Sequence, residues 1–256
     1  IGLSLRPMVV RASESMSAFW MRDRTQSLPP RQLTKRFICF MRRFRPHRFQ
    51  LLAHLHERGL MEHCYISFGR EVEGQVAIDA AASCRDLPDY DTVMRSMRDM
   101  YQRLPLMLDD ADMDVNLCET QLGDGAMGFY MRSGISIVAE TLFHSPYRWL
   151  SEKAYHPMRY LQPFIMVGPP GNLSALHEDG YKTFGDFWDE SYDDITDHHL
   201  RMQAIMDQIQ QIASWSDQRF TAFMRDSQGI CKHNMQLLSR CHARRDHIAD
   251  LTSIWD

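Results

Sequence analysis

Two short apolar runs constrain the fold of this chain more than any other feature. Residues 135–139 and 163–167 are apolar or β-branched, and each passes into polar residues and then a helix-like segment. Buried strands of parallel sheets read as continuous apolar runs, and such sheets hold ligands at the carboxyl ends of their strands. The stretch 134–192 is therefore expected to be an α/β module with its functional ends on one edge. Glu140 lies just past the first run and is expected to point into the crevice. A loop over 141–150 follows, carrying the aromatics Phe143, Tyr147 and Trp149. Ser151 is a suitable N-cap for the next helix, and Glu152 in its first turn is favoured by the helix dipole. Lys153 is not favoured there, unless it faces an anion such as a diphosphate while Glu152 accepts ribose hydroxyls. After the second run, Gly168-Pro169-Pro170-Gly171 predicts a tight turn into a helix over 172–179, ended by Gly180.

A second unit precedes this one. Lys35–Met41 predicts a strand, Pro46 suits the first turn of a helix whose apolar face is Phe49, Leu51, Leu52 and Leu55, and 63–68 predicts another strand. Arg42, Arg43, Arg45, His47 and Arg48 crowd the turn between the first strand and the helix. Such a run is either a solvated charge cluster or an anion site, because guanidinium forks and a helix N-terminus both suit phosphate or carboxylate. His47 is a candidate general base there, against the commoner role of a packed or capping histidine.

The remaining segments are read more plainly. Residues 3–10 suggest a strand and 13–21 a short helix, before Pro29-Pro30 breaks regular structure. Residues 91–104 carry an apolar stripe at helical spacing, and 106–114 are acidic. The run 123–128 is rich in glycine without the order of a phosphate-binding loop, so a flexible loop is expected. Asp193, Asp194 and Asp197 fit an aspartate-rich magnesium motif, but capping of the following helix by Thr196 or Asp197 is the preferred reading, and no metal site is expected. Glu190 and Tyr192 are expected to line the crevice. Residues 214–256 predict helices packing back on the fold, with a break near Gly229 and with Arg240, Arg244 and Arg245 as a possible nucleic-acid contact.

Global properties exclude little. The net charge of −4 means that any nucleic-acid footprint must be local. No apolar run approaches the roughly 18 residues of a membrane span. The six cysteines include no C-x-x-C pair, so they are read as free core thiols of a reducing compartment. No signal peptide is legible.

The segment 140–168, ETLFHSPYRWLSEKAYHPMRYLQPFIMVG, resembles the nucleotide-binding segment of α1,3-fucosyltransferase-like glycosyltransferases. Residues 35–68 and 134–210 together are similar to a family of often phage-encoded proteins with signatures like RRFRPHR and CYISFG. The resemblance implies an α/β fold of two Rossmann-like halves of the GT-B type, the first abbreviated, with a helical C-terminal extension. The corresponding division is 1–132 on the acceptor side, 133–213 for the nucleotide-sugar and 214–256 as the tail. It implies a glycosyltransferase that moves a sugar from a nucleotide-sugar to an acceptor hydroxyl on a glycan, protein or modified nucleic acid. The donor would be held by Arg43, Arg45, Arg48, Glu140, Ser151, Glu152, Lys153, Tyr155 and Glu190, with His47 or an unidentified carboxylate as base. Neither a cofactor nor an essential metal is expected, and the location implied is cytoplasmic, in the host if the protein is viral. A non-catalytic module binding nucleotide, nucleic acid or protein on the same fold is the alternative.

Overall fold

The computed structural model describes residues 9–11, 28–41, 45–68, 85, 89–101, 103, 106 and 124–252. In chain order the elements are β1 (Val9–Arg11), β2 (Lys35–Met41), α1 (Pro46–Glu57), a 3-10 turn at Met61–His63, β3 (Cys64–Phe68), α2 (Tyr90–Tyr101), α3 (Asp124–Arg132) and β4 (Ser133–Ala139). They continue with β5 (Arg148–Leu150), α4 (Glu152–Arg159), β6 (Phe164–Val167), α5 (Asn172–Glu178), α6 (His198–Ala213), α7 (Asp217–Asp226) and α8 (Gln228–Thr252).

Four of the strands form one parallel sheet in the order β3-β2-β4-β6. Every residue of β4 and β6 is buried, as expected of strands covered on both faces. Alternation along β2 separates those faces. Phe37, Cys39 and Met41 join the main core, whereas Ile38 packs with Tyr130, Met131 and Tyr160 in a smaller one. The expected two Rossmann-like halves thus supply strands to a single Rossmann-like sheet, in which Lys35 pairs with Ser133, and no second such sheet is present among the described residues.

Two further expectations are corrected. The glycine-rich run at 123–128 is not a loop from Asp124 onward but opens α3, where packing of Tyr130 and Met131 outweighs the low helix propensity of glycine. The connection expected at 141–150 ends in a strand, since β5 pairs in parallel with β1. Of the proposed strand at 3–10 only the end at β1 falls among the described residues. The proposed helix at 13–21 and most of the acidic 106–114 lie outside them. Cys39, Cys64 and Cys231 are buried free thiols; burial pushes Cys64 and Cys231 up to about 12 and Cys39 higher still. The side chains of Cys84, Cys118 and Cys241 lie outside the described residues.

Local chemistry sets the helix ends as the sequence suggests. Pro46 opens α1, Ser151 caps α4, and Asp197 Oδ1 accepts from the Leu200 N–H at 2.8 Å to cap α6. The last two helices meet at Ser227, close to the break expected at Gly229. Helix α8 packs against α4 and α7 and clasps the turn after α5, where Asn234 bonds both backbone groups of Lys182. No helix among the described residues is long and apolar enough to cross a membrane.

Candidate functional site at the fork of the sheet

The strand order reverses direction between β2 and β4, and there the sheet forks. Registered pairs between these strands stop at Ile38–Ser136. Beyond that point β2 stays with β3 through Met41–Phe68, and β4 stays with β6 through Ala139–Val167. The β4 carbonyls facing the gap therefore need other donors. The first turn of α1 supplies them. Arg48 Nη2 donates to the carbonyls of Ala139 and Glu140 at 2.9 and 3.0 Å, and His47 Nε2 donates to the Glu140 carbonyl at 2.9 Å. His47 is 2% exposed and Arg48 3%. Burial, and then the neighbouring Arg48 charge, lowers the His47 pKa to about 3, so the ring is neutral and its Nε2–H is committed to the backbone. Arg45 lies within electrostatic reach of both residues, and Arg43 is outside the described residues.

The other wall is built by one carboxylate. Glu140 is fully buried and accepts from Ser151 Oγ at 2.5 Å, the Ser151 N–H at 3.0 Å and the Thr141 N–H at 3.1 Å. Burial raises its pKa, and the bonds from Ser151 work against that rise. Ser151 Oγ also accepts from the Lys153 N–H at 3.3 Å, so Glu140 holds the start of α4 through the cap itself. Glu152 and Lys153 form an ion pair with each other beside this point. Glu152 acts electrostatically on Arg48, and Lys153 on Glu140. Two residues far apart in sequence, the Arg48 turn and the Ser151 cap, are thereby brought to one place. Gly168 completes the wall, because a Cβ there would lie 2.5 Å from Asn172 Nδ2 and 3.4 Å from Glu140 Cγ.

Sequence reasoning puts Phe143 on the connection after β4 but misses His144, His198 and Arg201 beside it. Phe143 stacks on His47 with centroids 5.5 Å apart, and His144 meets His47 edge-on at 6.2 Å and His198 edge-on at 4.9 Å. Behind them Arg201, 1% exposed, lies 4.3 Å over the Phe143 ring. Its guanidinium donates to the carbonyls of Phe143 at 2.7 Å, Gly168 at 3.2 Å and Ile195 at 2.6 Å, and to His198 Nδ1 at 3.1 Å. Desolvation lowers the Arg201 pKa to about 10. Helical spacing puts Arg201 on the buried stripe of α6, four residues before Ile205 and eight before Ile209, but only its distant carbonyl partners show what it holds. Desolvation, followed by the charges of His198 and Arg201, lowers His144 to about 4 although its ring reaches the surface.

Around the fork, Arg48 feels the charges of Glu140 and Glu152, Lys153 acts on Glu140, and Arg201 is balanced by Asp193 and Asp197. Three residues expected at the site are engaged elsewhere. Tyr155 is enclosed in the core against Tyr181, with centroids 5.6 Å apart. Glu190 is engaged by Thr183 Oγ1 at 2.5 Å and the Phe184 N–H at 3.0 Å, and Tyr192 reaches the Met166 N–H of β6 at 3.4 Å. Two aspartates of the magnesium-like motif, Asp193 and Asp197, hold backbone instead. Asp193 accepts from Leu173 and Ser174 N–H groups, both at 3.1 Å, at the start of α5. Among the described residues no group of three or more His, Cys, Asp or Glu is arranged to hold a metal ion.

The fold and fork together define a Rossmann-like parallel α/β protein whose strand order reverses where Arg48, Glu140 and the Ser151 cap meet. Comparison of the chain with protein-family models, with curated proteins and with solved structures returns no match.

Proposed function

We propose that the fork binds the diphosphate of a nucleotide-sugar and that the chain is a glycosyltransferase. The observation that carries this reading is the coincidence of the strand-order reversal with the meeting of Arg48, Glu140 and Ser151–Lys153. Open parallel sheets bind ligands outside the carboxyl ends of their strands at such a reversal. In this reading Lys153 exchanges its pairing with Glu152 for the leaving diphosphate, Arg45 adds charge from the opposite wall, and Glu152 turns to the ribose hydroxyls. Arg48 and Ser151 hold the walls rather than the ligand, since their polar groups serve Ala139, Glu140 and Lys153.

The test is a thermal-shift and calorimetric panel of UDP, GDP, CDP and ADP with their glucose conjugates. One nucleotide class is expected to stabilise the protein by about 2.7 kcal/mol at a hundredfold excess over Kd. Lys153→Ala and Glu152→Ala should each weaken that binding at least about tenfold, the effect of losing about 1.4 kcal/mol. No response to any nucleotide, with salt-sensitive binding to DNA or RNA, would sink the proposal.

One observation favours a non-catalytic nucleotide-binding role. His47 and Glu140, the groups nearest the fork that a transfer reaction would use as a base, are both occupied by structural bonds. That role predicts nucleotide binding without release of diphosphate from any donor.

A further inference from the structure

We infer that His144 takes the proton from the acceptor hydroxyl, and that His198 presents a donor N–H which orients the same hydroxyl. The inference rests on the glycosyltransferase reading and supplies the base which that reading lacks. Among the histidines at the fork, His47 is enclosed and its Nε2–H is spent on the Glu140 carbonyl. His144 stands on the connection directly after β4, has its ring at the surface, and makes no hydrogen bond among the described residues. It is therefore open to a ligand at the carboxyl edge where the donor is placed.

The state of His198 follows from its neighbour. A guanidinium only donates, so the 3.1 Å contact from Arg201 Nη2 makes His198 Nδ1 an acceptor, and the neutral ring must carry its proton on Nε2. His198 is thereby limited to donating outward, while the adjacent His144 remains able to accept. The two rings meet edge-on at 4.9 Å. An incoming hydroxyl needs both functions at once, since it accepts from one group while it donates its proton to another. Arg201 acts as a positioning residue, fixing the His198 tautomer and holding Phe143 beneath His144. Desolvation above all, and then the Arg201 charge, lowers the His144 pKa to about 4, so its ring is unprotonated at neutral pH.

The transfer step balances on these groups. The acceptor oxygen forms a bond to the anomeric carbon as its proton passes to His144. The bond from that carbon to the phosphate oxygen breaks, and the nucleoside diphosphate leaves with the electron pair. The proton on His144 is then released to water, returning the base to its starting state.

The experiment uses the nucleotide-glucose that stabilises the full chain, with release of diphosphate measured in the presence of methyl glycosides and of water alone. His144→Gln is expected to lower kcat by about 10²-fold, the low end of a general base's contribution because a base of pKa about 4 is a weak one, with KM for the donor within about threefold. His198→Gln, which retains an N–H donor, should keep more activity than His198→Ala. The kcat of the unmodified protein should be flat from pH 6 to 8, because His144 with a pKa of about 4 stays unprotonated throughout that range. Unchanged kcat in His144→Gln overturns the assignment while leaving the nucleotide reading intact. Binding of nucleotide without diphosphate release from any donor overturns both His144 and transfer, and leaves binding. Absence of nucleotide binding removes the underlying reading and this inference with it. Circular dichroism and retained nucleotide binding identify variants that fold.

Discussion

The connections that leave β4 and β6 differ in length and in how fully they are used. After β6, Gly168–Gly171 turns at once into α5: Gly171 takes a left-handed φ of +78°, and its N–H donates to the Asp193 carbonyl at 2.7 Å. The Asp193 carboxylate covers the next donors of α5. After β4 the chain instead runs from Glu140 to Ser151, tied by the Glu140 carboxylate, by Asn172 on both backbone groups of Trp149 and by Arg201 on the Phe143 carbonyl, while His144 and Tyr147 stay at the surface. Both turns lie at the same sheet edge, yet only the longer one retains polar groups without structural employment. Opportunity for chemistry at this edge thus comes from unspent hydrogen-bonding capacity rather than from the number of charged residues.

Arg201 joins the two connections, so its loss should have the largest effect. Arg201→Ala removes donors from the carbonyls of Phe143, Gly168 and Ile195, and should destabilise the protein by at least about 3 kcal/mol in chemical denaturation. A loss below 1 kcal/mol would mean that the turns are held independently.

Next comes Glu140, which sharpens the contrast through pH. Glu140→Ala should cost about 2–3 kcal/mol, because the buried Ser151 and Thr141 donors lose their acceptor. Its folded pKa lies above the ordinary value of 4.5, so the folded state binds the proton more tightly than the unfolded chain. The corresponding stability is present below pH 4.5 and declines as pH rises through the folded pKa. Glu140→Gln should abolish that slope while costing less than the alanine variant. An unchanged slope, from denaturation midpoints at several pH values, would place the titration elsewhere.

The smallest effect belongs to the short turn. Asp193→Ala removes a helix-capping carboxylate and should cost about 1–2 kcal/mol. Nucleotide binding at the fork should be preserved. Loss of binding with intact folding would show that the two connections act as one site.

These elements also show what a sequence reader can and cannot see. The strands β4 and β6 were visible because enclosure on both faces imposes apolar runs, β2 and β3 because apolar and β-branched residues dominate them despite partial exposure, and the caps at Ser151 and Asp197 because their partners lie two or three residues away. Placement at strand ends suggested that the arginine-rich turn faces the Glu152–Lys153 helix start, but not that His47 and Arg48 bond the Glu140 carbonyl. Joining of β2 to β4 in one sheet was not visible, since that pairing spans the whole intervening stretch from Lys35 to Ser133. Arg201 and His144 were missed for a related reason. The partners that define them come from separate elements, and residue type alone makes one a helix arginine and the other a loop histidine.

Arg201 also has a consequence in time. It follows Phe143, whose carbonyl it holds, by 58 positions. At synthesis rates of about 5–20 residues per second, Phe143 is made roughly 3–12 s before Arg201. During every round of translation the aromatic rim exists for seconds before its clamp. A nascent chain stalled between these positions should expose the rim to proteolysis, and one stalled well beyond Arg201 should protect it.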